Sequence, residues 1–128
     1  MRLLLDTHAL LWWLAGDAQL SPAAREAIGN PAHEVFVSAA SAWEVATKHR
    51  LGKLPGAGPL VVDFAREVRR QGFQPLPITL EHGQVAGQLP GPHRDPFDRM
   101  LVAQAREEKL AVVSNDAALG AFGVPLVW

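Results

Sequence analysis

Cysteine is absent from the chain. That removes disulfide frameworks, thiolate zinc sites and cysteine nucleophiles, and it fits a reducing cytosol as the expected location. Paired histidines are missing as well. The five histidines, at 8, 33, 49, 82 and 93, make no pair at zinc-helix spacing, and His33-Glu34 lacks the second histidine of a metalloprotease helix. Nucleotide-binding loops fail on their own residues. Gly56 and Gly58 run into Pro59 without a third glycine, and Gly52-Lys53 is followed by Leu54 where a phosphate loop needs Ser or Thr. No G-x-S-x-G surrounds Ser21, Ser38, Ser41 or Ser114, which argues against a serine hydrolase of that type. Long apolar runs are lacking too: Leu3 to Leu5 is too short for a signal peptide, and the nearest candidate span is broken by Asp6, His8 and Asp17. A soluble protein without membrane association is expected. Excess charge of either sign is also absent, with 12 basic against 13 acidic side chains and a net charge of −1. A nucleic-acid partner would therefore have to be met by local basic patches.

The 128 residues, 48% of them hydrophobic, suit one compact domain spanning 1–128. Arg2 to Asp6 is a nearly all-apolar opening, the pattern of a strand buried on both faces of a parallel sheet. Thr7 to Ala15 reads as a helix with Thr7 as N-cap and Gly16 as its stop. Ser21-Pro22 starts a second helix, in the cap and first-turn proline order, and Gly29-Asn30-Pro31 ends it. Glu34 to Ser38 is β-branched and aromatic at its centre and reads as a strand, and Ser41 to Leu51 as a helix stopped by Gly52. Gly52 to Pro59 reads as a loop. Leu60, Phe64 and Val68, four apart, predict one helix ending near Gly72. Gln74 to Ile78 suits a short edge strand, Thr79 caps a further helix, and a proline-rich loop from Leu89 leads into a helix from Pro96 to Glu108. Leu110 to Ser114 and Leu126 to Trp128 complete the strands. The alternation implies an α/β fold with a mostly parallel sheet.

In such sheets ligands bind outside the carboxyl ends of the strands, where Asp6 and Asp116 fall. Asp98, in the first turn of its helix, and Glu44, within the first turns of another, are placed to join them. Two unit charges about 4 Å apart repel by roughly 4 kcal/mol at an effective dielectric near 20, so such a cluster calls for a cation. All-oxygen ligation without cysteine or paired histidine points to Mg²⁺ or Mn²⁺. That ion would activate water and hold a phosphodiester for in-line displacement.

Each acid also has a plainer reading. Asp6 suits the cap of the helix after it, Glu44 and Lys48 stand at ion-pair spacing, and Asp98 complements a helix dipole. Asp95 suits the N-cap of a helix with Pro96 at its first position, and Ser114-Asn115-Asp116 suits a turn.

Four blocks tip the balance when taken together. Leu4-Leu5-Asp6-Thr7-His8, Ser41-Ala42-Trp43-Glu44-Val45-Ala46-Thr47-Lys48, His93 to Ala105 and Ser114-Asn115-Asp116 resemble, in this order, the four motifs of VapC-type PIN-domain toxins. They span nearly the whole chain. The resemblance implies a PIN-like three-layer α/β/α sandwich, with Asp6, Glu44, Asp98 and Asp116 as the family's catalytic, metal-holding acids. It further implies Mg²⁺-dependent cleavage of an RNA substrate, a homodimer, and a cognate antitoxin protein. Thr7 and Ser114 match positions where a hydroxyl holds metal-bound water or phosphate, and Asp95 also falls within the motif.

Lys48, Arg50, Lys53, Arg94 and Arg99 are the basic residues nearest these acids, with Arg99 the first choice for a phosphate contact, or for a plain salt bridge to Asp98. Trp12, Trp13 and Trp43 offer stacking surfaces for bases or, more in keeping with their apolar surroundings, core and dimer contacts. A phosphoacceptor signalling domain would need an acidic pair after the first strand, and a dehalogenase-type phosphatase a second Asp where His8 stands. A catalytically silent PIN-like module that binds RNA or serves as a scaffold is the remaining alternative.

Overall fold

A computed structural model describes residues 1–128. Five strands, β1 (Arg2–Leu5), β2 (Glu34–Ser38), β3 (Gln74–Leu76), β4 (Ala111–Val113) and β5 (Leu126–Val127), form a single sheet in the order β3-β2-β1-β4-β5. Every pairing is parallel, so the mostly parallel expectation sharpens to a wholly parallel sheet. Eight α-helices connect the strands: α1 (Thr7–Ala15), α2 (Pro22–Gly29), α3 (Ala39–Arg50), α4 (Gly58–Val62), α5 (Phe64–Arg70), α6 (Leu80–Gln88), α7 (Pro96–Glu108) and α8 (Ala117–Gly120).

The apolar run of β1 is divided residue by residue between two cores. Leu3 and Leu5 point with Val35, Val37 and Val113 towards Ala9 and Leu10 of α1, Ala24 and Ile28 of α2 and Val68 of α5. Leu4 points with Phe36 and Val112 towards Leu101, Val102 and Ala105 of α7 and Leu119 of α8. A helix layer on each face makes the α/β/α sandwich. Leu3, Leu4 and Leu5 are fully buried, and each such side chain is worth about 1.5–3 kcal/mol of hydrophobic burial. A third, smaller cluster of Val45, Ala57 and Leu60 seats α3 against α4.

Local chemistry set most element boundaries, with five departures from the sequence expectation. Asp6, not Thr7, caps α1: its carboxylate accepts the Ala9 amide at 2.7 Å, and Thr7 becomes the first helical residue. α3 starts at Ala39 because the Ser38 hydroxyl accepts the Ala40 amide and caps it two residues early. The Gly52 to Pro59 loop holds a 3-10 turn over Pro55–Ala57, and the single helix expected beyond it is broken at Asp63, which caps α5 through the Arg66 amide. Ala117–Gly120, unanticipated, is a one-turn helix capped by Asp116. No helix is long and apolar enough to cross a membrane.

The sheet order fixes where a ligand crevice falls. From β1 the chain moves outward through β2 and β3 on one side, then returns to place β4 and β5 on the other. The gap between the carboxyl ends of β1 and β4 is thus the topological switch point, where open parallel sheets bind ligands. Asp6 follows β1 and Ser114 follows β4 at that gap.

Candidate active site

The Asp6 amide donates to the Val113 carbonyl at 3.1 Å, continuing the ladder between β1 and β4 by one more bond. That bond sets Asp6 beside Ser114, at the head of the segment leading to Asp116. Asp6 is 7% exposed. Burial pushes its carboxyl pKa up, the Ser114 hydroxyl, the Ala9 amide and His8 pull it back, and the negative charge of Asp116 adds to the rise. Ser114 is itself buried and accepts the Asp116 amide at 3.0 Å. Asp116 is exposed and accepts the Ala118 amide at 2.9 Å.

Glu44 comes from the opposite wall. Buried on α3, its Oε1 accepts the Thr7 hydroxyl at 2.6 Å and its Oε2 accepts the Lys48 ammonium at 2.5 Å. The Ser41 hydroxyl, one turn earlier on the same helix, lies 3.0 Å from Thr7 and donates to it. Thr7 therefore bridges α1 to α3 through Glu44. Asp98 sits in the first turn of α7, where Asp95 caps the helix by accepting the Phe97 amide at 2.9 Å and the Asp98 amide at 3.2 Å. One Asp98 oxygen, Oδ2, lies 3.0 Å from His93 Nε2. Its carboxyl pKa is raised chiefly by burial, with the His93 hydrogen bond opposing and the charges of Asp95 and Glu44 adding to the rise.

All four sequence-predicted acids line one cavity of about 550 Å³, together with Thr7, Lys48, Asp95, Asn115, His8 and Trp12. Ser114 lies beneath it. The acids occupy its walls and do not close into a cage: no three His, Asp or Glu side chains gather around one metal position. The donor set still suits a hard cation. Five carboxylates face one ammonium group, the donors are oxygens, and the mutual repulsion of Asp6 with Asp116 and of Asp98 with Asp95 and Glu44 is what a divalent ion relieves. An apolar cleft of about 610 Å³ between the ends of β2 and β3 and α5 is slightly larger, but Arg69 is its only charged lining residue. Its walls, Val37, Phe64, Val68 and Pro75 among them, hold no group suited to hydrolysis.

Among the basic residues Lys48 alone lines the acidic cavity. Arg50, Lys53 and Arg94 are exposed outside it. Arg99 departs from both roles expected of it. Its Nε, Nη1 and Nη2 donate to the backbone carbonyls of Ala86, His93 and Leu89, and it makes no ion pair with Asp98. Trp13 packs into the core against Phe73, and Trp12 meets Trp128 edge-on while lining the acidic cavity. Trp43 is 61% exposed, its ring edge-on to Phe97. Two residues that support the acids, Ser41 through Thr7 and His93 through a direct contact with Asp98, are not among the sequence-predicted site residues. Ser41 is legible from its three-residue spacing to Glu44 on one helix face, whereas His93 reaches Asp98 only through the path of a loop.

A model of the PIN domain family matches residues 3–124. The chain is 33% identical over 119 residues to Ribonuclease VapC22 of Mycobacterium tuberculosis, covering 91% of this chain and 88% of that protein. Ribonuclease VapC16 of the same organism is 38% identical over 58 residues, covering 45% of this chain and 41% of its own length. Among solved structures, VapBC2 from Rickettsia felis, bound to a DNA fragment from its promoter, superposes with a TM-score of 0.66 at 12% identity, covering 98% of this chain and 97% of that one.

Proposed function

This chain belongs to the PIN-domain family, within its VapC-type branch, and on that premise we propose that it is a metal-dependent endoribonuclease, the toxin of a type II toxin-antitoxin pair. The observation that carries this reading is the shared cavity: four acids from four separate segments, 110 positions apart at the extremes (116 − 6), meet at the switch point of the sheet. Residues 1–128 act as one PIN domain in the cytoplasm, as a homodimer held in check by a cognate antitoxin. The ribonuclease name of the Mycobacterium tuberculosis relative supports the activity, and the paired-complex name of the Rickettsia felis neighbour supports the antitoxin.

Asp6, Glu44, Asp98 and Asp116 would hold Mg²⁺, or Mn²⁺ in its place. When bound, such an ion lowers the pKa of a coordinated water and neutralises charge on the scissile phosphate. The chain's own residues do the rest. Asp6 and Asp116 approach from adjacent strand ends, Asp98 from a helix N-terminus, and Glu44 from a helix whose register is tied to α1 by Thr7. Lys48 is the ammonium group in the cavity and is placed to meet a backbone phosphate. Ser114 holds Asp6 from below, and Asp95 keeps the first turn of α7 wound so that Asp98 faces inward.

The test is cleavage of a mixed RNA pool by purified protein with Mg²⁺ or Mn²⁺, with and without EDTA, beside an Asp6→Ala variant. Metal-dependent cuts lost in the variant are expected, and sequencing the new ends gives the target. A folded protein that cuts no RNA in either metal, structured substrates included, would favour a silent RNA-binding or scaffold module.

A further inference from the structure

We propose that Arg99 and His93 are positioning residues for Asp98: the Arg99 side chain fastens the loop before α7 so that His93 holds one carboxylate oxygen and turns the other to the cavity. This rests on the reading of Asp98 as a metal-holding acid.

The loop between α6 and α7 has little means of holding its own shape. Pro90 and Pro92 have no amide hydrogen to donate, and Gly91 adopts φ +106°, a conformation that favours glycine. From residue 90 to 94 no backbone group takes a backbone hydrogen bond. The protein hydrogen bonds of this stretch are two, and both are made by His93: its carbonyl accepts Arg99 Nη1 at 2.9 Å, and its ring Nε2 meets Asp98 Oδ2 at 3.0 Å. The first of these comes from a guanidinium group anchored elsewhere. Arg99 also donates to Ala86 and Leu89, the carbonyls at the end of α6, where helix groups lack internal partners and a cation complements the dipole. Three planar donors on one rigid fork thus bind the last turn of α6 and the loop to the second turn of α7, a grip lysine cannot reproduce.

The consequence falls on Asp98. Its neighbours Asp95 and Glu44 are anionic, and a carboxylate on a short side chain rotates broadly about its last torsion. His93 removes that freedom. Its ring is braced edge-on against Phe122, with centroids 6.0 Å apart, and Asp98 Oδ1 is left without a protein hydrogen bond. A ligand oxygen held by such a partner is pre-aimed, and losing the partner typically costs about 10–100-fold in metal affinity.

The test is Mn²⁺ binding to RNA-free protein, measured by electron paramagnetic resonance, for wild type, His93→Ala, His93→Gln, Arg99→Lys and the His93→Ala/Arg99→Lys pair. His93→Ala is expected to raise the Mn²⁺ Kd about tenfold. Glutamine, whose amide nitrogen lies near the Nε2 position, recovers most of that. Arg99→Lys raises the Kd comparably, and the double variant is no worse than the worse single one, because both act through one path. A purely structural role would lower the melting temperature and leave Kd unchanged, or make the two losses add; either result overturns the proposal. Wild-type protein that binds no Mn²⁺ overturns this inference and the metal-dependent reading together, whereas wild-type binding with an unaltered His93→Ala overturns this inference alone.

Discussion

Asp6 and Asp116 leave the ends of strands, whereas Glu44 and Asp98 ride on helices, and the two pairs are held by different means. Each strand-end acid spends an oxygen on its own neighbourhood, Asp6 on the Ala9 amide and Asp116 on the Ala118 amide. Their positions follow from the ladder beneath them. The helix-borne acids depend on side chains: Glu44 on Thr7, 37 residues away, and on Lys48, and Asp98 on His93. Backbone pairing places the first pair, with the Ser114 hydroxyl steadying Asp6, and side-chain pairing aims the second. Substitutions of neighbouring residues should therefore leave the strand-end acids in place and disturb the helix-borne ones.

The largest effect erases the distinction. Asp6→Asn and Asp98→Asn are each expected to lower RNA cleavage by more than about 100-fold, beyond what loss of an outer partner alone costs. Single-turnover assays at saturating Mg²⁺ check this, and activity near wild type in either variant would remove that residue from the site. Both variants keep a hydrogen-bonding side chain of the same shape, so Asp6→Asn retains a good helix cap. In metal-free buffer Asp98→Asn should melt at a higher temperature than wild type, since it removes a crowded negative charge.

Metal comes next. At about 100 times its Kd, Mg²⁺ should stabilise the native state by about 2.7 kcal/mol. Calorimetry with and without EDTA reads this, and unchanged melting at saturating Mg²⁺ would count against a shared acidic site.

Thr7→Val sharpens the comparison most directly. It removes a donor from buried Glu44 at nearly constant volume and should cost about 1–3 kcal/mol in urea unfolding. Asn115→Ala, beside the strand-end acid Asp116, should cost under about 0.5 kcal/mol, as exposed sites usually do. Equal losses would mean that both kinds of acid rely on side-chain support.

The smallest effect is on pH. Asp6 and Asp98 both have pKa values raised above the ordinary 3.8 by burial, so in that window the native state holds more protons than the unfolded chain. Their contribution makes metal-free stability fall as pH rises from about 3.8 through the raised values, so the penalty is absent below about 3.8 and complete above the raised values. Metal binding should weaken as pH drops through the same window, because protons then compete for the two carboxylates. Metal-free unfolding curves of wild type and the Asp6→Asn/Asp98→Asn pair should diverge with rising pH, and parallel curves would disprove the shift.

Much of this arrangement is legible in the order of the residues. β1 is readable because three successive leucines ending in an acid suit a strand with a core on each face, and Leu3 and Leu5 do face one core and Leu4 the other. Ser21-Pro22 and Asp95-Pro96 mark helix starts because capping is a matter of three or four adjacent residues. Where two local signals compete, the residues alone do not decide: Asp6 and Thr7 both suit a cap, and packing gives the cap to Asp6 by turning Thr7 inward to Glu44. The break at Asp63 is hidden because Leu60, Phe64 and Val68 keep helical spacing across it.

Sequence by itself determined which acids fall at element ends and most of the elements that carry them, because strand patterning and caps are settled by interactions over a few residues. Only the tertiary structure decided how those acids are held. It put β4 beside β1, so that Asp6 and Asp116 share a switch point, and it filled both oxygens of Glu44 while leaving one of Asp98 open. It also sent Arg99 to three backbone carbonyls instead of a phosphate. Those outcomes depend on which side chains meet across distances of many residues, and a guanidinium group goes to whichever acceptors the docked helices bring within its reach.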